Sequence, residues 1–193
     1  MRIITYPHPT LRHKSKPLRR VDAELKKTIG HMLDLMYADE GVGLAANQVD
    51  LPYRVFVLNL TADSAAKDEE HVFINPTILK RSGTQEFEEG CLSVPEIYGD
   101  VKRSAKILLS AYNLTGQEMR YELTGLFARA VQHENDHLDG VLFIDRLTET
   151  GKLTVQDAIE SLERAFADER ARGRIADDQQ IAARLAELEA LRA

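Results

Sequence analysis

The chain has 193 residues and a formal net charge of −6, with 25 Lys plus Arg against 31 Asp plus Glu. That length suits about one domain, and the acidic balance argues against a dedicated nucleic-acid binder. A single cysteine excludes an internal disulfide and fits a reducing compartment, while no apolar run reaches the length of a signal core or a membrane span, so a soluble cytoplasmic protein is expected.

The first twenty residues, punctuated by Pro7, Pro9 and Pro17, read as an extended arm. A helix is expected from Asp22, a favourable N-cap, with Leu25, Ile29, Met32, Leu33 and Met36 on one face until Gly41. GVGLAANQ (41–48) reads as a glycine-bearing loop. YRVFVLNL (53–60) is β-rich and mostly apolar, as a strand covered on both faces is. The polar stretch 61–71 reads as a surface loop. Strands are expected over 72–80, 84–88, 101–112 and 118–123, the last two joined by a turn at Asn113–Gly116. Residues 124–138 change to helical period, with Leu126, Ala130, Val131 and Leu138 on one side and an end near Gly140. Helical stretches from Leu153 to Arg172 and from Ile175 to Arg192 follow, separated by Gly173. Strands in the middle with helices at both ends predict an α+β fold. In that fold small antiparallel or mixed sheets pack around the helix of residues 124–138, with an N-terminal helix and a C-terminal helical extension.

His133-Glu134-Asn135-Asp136-His137 matches HExxH. On a helix, residues four apart stack one turn above each other, so both imidazoles can reach one cation, and Glu134 can move protons on water beside it. The alternative is a solvated polar face that merely contains two histidines. A third ligand is needed. Gly140 matches the longer HExxHxxGxxH pattern, but its last position is Phe143, which cannot bind metal. Glu160 on the later helix is one candidate, giving a zincin-type endopeptidase. Cys91, in EEGCLSVP (88–95), is another, set against the plainer reading of a small buried hydrophobe. Gly90 permits close backbone approach there and Pro95 is expected to end any regular strand. Two acidic neighbours disfavour a bare thiolate, whereas a divalent ion favours one.

GVGLAANQ (41–48), EGCLS (89–93) and QHENDH (132–137) stand in the order and approximate spacing of the three motifs of the peptide deformylases, and the resemblance extends over about residues 5 to 147, through HPTLR (8–12) and LFIDRL (142–147). It implies removal of the formyl group from N-formyl-methionine of new polypeptides, with release of formate. It implies Cys91, His133 and His137 as metal ligands, Glu134 as general acid/base, and the Gln48 side-chain amide and Leu92 backbone N–H as donors to the oxyanion. Such a metal lowers the pKa of its water, and the site would suit ferrous iron, with zinc, nickel or cobalt able to replace it. Val42, Gly43 and Leu44 would pair the substrate strand-fashion, and Val42, Leu44, Arg129 and Ala130 would border the methionine pocket. Arg129 departs from a position often apolar in relatives; its stem is expected to pack on the pocket while its charge reaches water. Arg103 either supports Glu89 behind the cysteine or is an ordinary exposed base. Residues 1–147 would form the catalytic domain and 148–193 a helical extension packed on it or serving as a dimer helix. The partners implied are nascent formylated peptides, with the ribosome as a further candidate, and neither DNA nor membrane.

Overall fold

Asp22 caps the first helix as expected, its Oδ1 accepting from Leu25 N at 2.9 Å. The computed structural model describes residues 1–193, and in it this helix, α1, runs Ala23–Ala38 with Leu25, Ile29, Met32, Leu33 and Met36 buried. Seven strands follow: β1 Gly43–Ala45, β2 Val55–Leu58, β3 His71–Ser82, β4 Gln85–Cys91, β5 Val94–Arg103, β6 Lys106–Tyr112 and β7 Glu118–Thr124. They form a five-stranded sheet in the order β1-β2-β3-β6-β7 and a separate β4-β5 hairpin, and every pairing between strands is antiparallel.

β2 shows why its residues are apolar throughout. Val55 and Val57 face the core formed with α1, while Phe56 and Leu58 face a second core with Phe73, Ile107 and Leu109. Ala128, Val131 and Leu138 of the next helix, α2 (Gly125–Leu138), close that second core. α2 therefore lies between the large sheet and the hairpin, buried over most of its length. The fold is α+β, as the element order predicts. No helix is long and apolar enough to cross a membrane.

Four expectations need correction. Residues 41–48 are not simply a loop, because β1 and a 3-10 turn, Ala46–Val49, are folded from them. The stretch 101–112 belongs to two strands, β5 and β6, with Ser104 and Ala105 between them. Pro95 does not end β5. It lies between the Cys91–Val94 and Glu89–Gly99 pairs, in an irregular stretch where residues 95–98 have no ladder partner for a proline to disrupt. Leu126 is 62% exposed and does not share the buried side of α2.

The C-terminal region forms α3, Glu149–Ala171, and α4, Asp178–Arg192. α4 starts after Ile175 because Asp177 caps it, accepting from Gln180 N. Val155, Ile159 and Leu162 of α3 pack against Ile4, Leu11, Val94, Phe143 and Leu147, whereas Leu153 is exposed. α4 buries Ile181 and Leu185. Its Glu189 pairs with His13 and Lys16, and its Arg192 pairs with Asp22, so it ties the N-terminal arm to the start of α1. The arm in turn braces the centre of the molecule, with Ile4 N donating to Gln48 O and Tyr6 N to Ser93 O.

Candidate metal centre

Helical spacing puts His133 and His137 one turn apart on α2, with ring centroids 5.1 Å from each other. The hairpin supplies the third donor, since Cys91 ends β4 and its Sγ lies 3.3 Å from His137 Nε2. The donor atoms of Cys91, His133 and His137 all fall within 4.8 Å of one another. Two imidazoles and one sulfur form a set suited to a divalent transition metal. His133 Nδ1 is already engaged by Glu89 Oε2 at 3.0 Å, which leaves Nε2 as the ring atom free to face an ion.

Charge within the site points the same way. Glu89 is buried, which pushes its pKa up, but hydrogen bonds from His133 and Arg103 outweigh burial and hold it at about 2. Burial opposes charge on His133 too. Cys91 and Glu89 nevertheless raise it to about 10, so positive charge is wanted between that sulfur and that carboxylate. A metal ion at the donor atoms meets the same demand. His137 is driven well below its ordinary value by burial and by its proximity to His133, leaving a neutral ring able to ligate. Glu134 is pushed up to about 7, first by burial and then by Glu89 and Asp136, against the pull of His133 and Arg103. Its Oε2 is buried without a hydrogen-bond partner.

Because Glu89 titrates lower in the folded chain than its ordinary 4.5, its stabilising contribution is complete above about pH 4.5 and is lost as pH falls toward about 2. Urea midpoints of the metal-free protein measured across that window should therefore fall more steeply than those of Glu89→Gln.

A cleft of about 560 Å³ opens on this centre, lined by Val42, Gly43, Gln48, Cys91, Leu92, Arg129, Ala130, His133 and Glu134 among others. The Gln48 amide is fixed, with Oε1 accepting from Ala45 N at 2.8 Å and Nε2 directed to Ser93 Oγ at 3.3 Å and Cys91 Sγ at 3.4 Å. Gly43 is needed by the protein itself, whereas the close neighbour of Gly41 is the end of a flexible leucine side chain. A Cβ on Gly43 would stand 2.5 Å from Glu134 Oε1, and one on Gly41 would stand 2.7 Å from Leu92 Cδ1. β1 is the edge of its sheet, so one side of its backbone has no strand partner.

Two expected pocket residues are placed differently. Leu44 is fully buried in the α1 core and is absent from the cleft wall, so its side chain does not border the pocket. Arg129 does not send its charge to water. The residue is 6% exposed, and its guanidinium pairs with Glu89 and donates to the Val101 and Gln85 carbonyls at 3.2 Å. Arg129 does line the cleft, but the expectation that its charge reaches water fails because a buried carboxylate, 40 residues away in sequence, takes up the guanidinium. Arg103 takes the supporting role, with Nε and Nη2 on the two Glu89 oxygens at 2.6 and 2.8 Å.

Glu160 lies on α3 with its carboxylate half exposed, paired with Gln156 and Arg164, and takes no part in the donor cluster. Residues that the sequence did not assign to the site also line the cleft: Ile97, Tyr98 and Leu126, the last expected only on the apolar side of its helix. Behind it, Asp136 receives Arg103 at 2.7 Å and Arg146 at 2.5 Å. Asp136 is the acid inside HENDH that faces the arginine of LFIDRL, a pairing that only the folded chain displays.

The chain matches the model of the polypeptide deformylase family over residues 1–153. It is 48% identical over 189 residues to a peptide deformylase of Rhodopirellula baltica, covering 98% of this chain and 94% of that one. A peptide deformylase of Phenylobacterium zucineum is 46% identical over 147 residues, 76% of this chain and 86% of the relative. Among solved structures, a peptide deformylase of Plasmodium falciparum superposes with a TM-score of 0.84 at 37% identity, covering 88% of this chain and 98% of the other. That of Arabidopsis thaliana gives 0.83 at 39% identity, covering 90% and 94%. The match runs through the elements that carry Cys91, His133 and His137, and this chain belongs to the polypeptide deformylase family.

Proposed function

We propose that this chain removes the formyl group from N-formyl-methionine at the start of newly made polypeptides, releasing formate, in the cytoplasm where such chains are synthesised. The observation that carries this reading is the convergence of Cys91, His133 and His137 within 4.8 Å, beside a buried Glu134 with an unpartnered oxygen. We assign those three residues as ligands of one divalent metal, ferrous iron by family resemblance, with zinc or nickel as substitutes. When bound, the ion supplies Lewis acidity and activates water for attack on the formyl carbon.

The chain's own residues do the rest. Glu134, held near pH 7, accepts a proton during attack and returns it to the departing amine. Gln48 Nε2 and the Leu92 backbone N–H serve as donors to the carbonyl oxygen as it becomes anionic. The free edge of β1, from Val42 to Leu44, pairs with the substrate backbone. Val42, Leu126 and Ala130 border the methionine side chain, and Arg129 closes that wall from behind. Residues 1–147 carry these groups as one catalytic domain, with 148–193 packed on it as an extension.

The test is formate release from a formyl-methionyl peptide by anaerobically prepared, metal-loaded protein; no release would refute the reading. Gln48→Ala should lower kcat by about 10²–10³-fold with a smaller change in KM, as loss of one oxyanion donor does. Exposed Asp39, Glu40, Glu88 and Glu96 also line the cleft, and none of them forms an ion pair. Peptides with lysine after the methionine should therefore show a higher kcat/KM than those with aspartate, and the gap should shrink with added salt.

A further inference from the structure

The three proposed metal ligands come from two elements that share no strand or helix, Cys91 from β4 and both histidines from α2. What holds those elements in register is a buried ion cluster. From α2, Arg129 Nη1 pairs with Glu89 of β4 and donates to Val101 O of β5 at 3.2 Å, while Nη2 donates to Val101 O and Gln85 O, each at 3.2 Å. The guanidinium also lies 5.1 Å from the ring of Phe87 on β4. From β5, Arg103 grips the same Glu89 and reaches back to Asp136 of α2. Glu89, clamped by two guanidinia, presents Oε2 to His133 Nδ1.

Burying a cation among carbonyls and a single carboxylate is costly, and a pocket wall alone needs only an apolar side chain. The planar guanidinium fork holds several acceptors in one fixed geometry, which an apolar side chain cannot do and lysine's compact, three-donor ammonium cannot reproduce. Resting on the ligand assignment above, we propose that Arg129 is a positioning residue of the metal centre, acting through Glu89 on His133 and through the β4–β5 carbonyls on the placement of Cys91.

The experiment is cobalt(II) titration of metal-free wild type, Arg129→Met and Arg129→Lys. Affinity is read by chelator competition and geometry by the visible absorption of the thiolate-ligated ion. Arg129→Met should bind cobalt about 10–100-fold more weakly, the usual effect of losing a residue that orients a ligand, and should shift the visible bands. Arg129→Lys should fall between it and wild type. In the Glu89→Gln background, Arg129→Met should weaken binding by less than it does alone, because the two act through one linkage. Wild-type cobalt affinity and spectrum in Arg129→Met, with only KM for a formyl-methionyl peptide raised, would overturn the proposal and leave Arg129 as a pocket wall. If circular dichroism shows Arg129→Met unfolded, the same affinity and spectrum criteria apply to Arg129→Lys. Wild type that binds cobalt without a thiolate band would overturn the ligand assignment itself, a result distinct from either outcome in the variants.

Discussion

Glu134→Gln is expected to lower kcat by about 10²–10⁴-fold, the range spanned by loss of a positioned acid/base, while the protein keeps one metal ion per chain. Glutamine preserves the shape and much of the polarity of the side chain but cannot exchange a proton. The wild-type carboxyl is buried, its Oε2 has no partner, and it titrates at about 7, so it can both take and return a proton near neutrality. It is not one of the three clustered donors, so metal content should stay constant. Formate release across pH, paired with metal analysis of the same preparations, checks both halves. A variant that retains full activity would move the acid/base role to another group.

The second large effect is expected for Cys91→Ala. The remaining donors are two imidazoles on one helix, His137 driven toward the neutral form by burial and His133 engaged through Nδ1 by Glu89. Without sulfur the site loses its one anionic ligand, and metal retained after dialysis should fall from near one per chain to near zero. Loss of the ion removes several kcal/mol of charge stabilisation, so kcat/KM should fall on the order of 10³-fold or more. Near-wild-type circular dichroism would show that the loss is local to the centre. Full metal content in this variant would mean that Cys91 is not a ligand.

Much of this architecture is legible in local patterns. Asp22 and the apolar spacing after it mark α1, YRVFVLNL marks a strand buried on both faces, and HENDH places two imidazoles and a carboxylate on one helix. Each depends on short-range periodicity, which sequence displays directly. The features that escape depend on partners far along the chain. Arg129 reads as a snorkelling pocket residue until Glu89 is seen beside it, and Leu44 reads as a pocket residue until β2 turns its side chain into the α1 core. Pro95 looks like a terminator because the irregular pairing opposite Gly90 leaves no trace in composition. The break between β5 and β6 is hidden for the same reason: Ser104 and Ala105 are ordinary residues at a point where the chain passes from one sheet to the other.

Under the proposed assignment one sulfur and two ring nitrogens hold a single ion. X-ray absorption at the metal edge of the zinc-loaded protein tests it directly. The expected first shell contains one sulfur at about 2.3 Å and two imidazole nitrogens at about 2.0–2.1 Å, with a further light atom completing four-coordination. A shell of nitrogen and oxygen alone, with no sulfur, would contradict it.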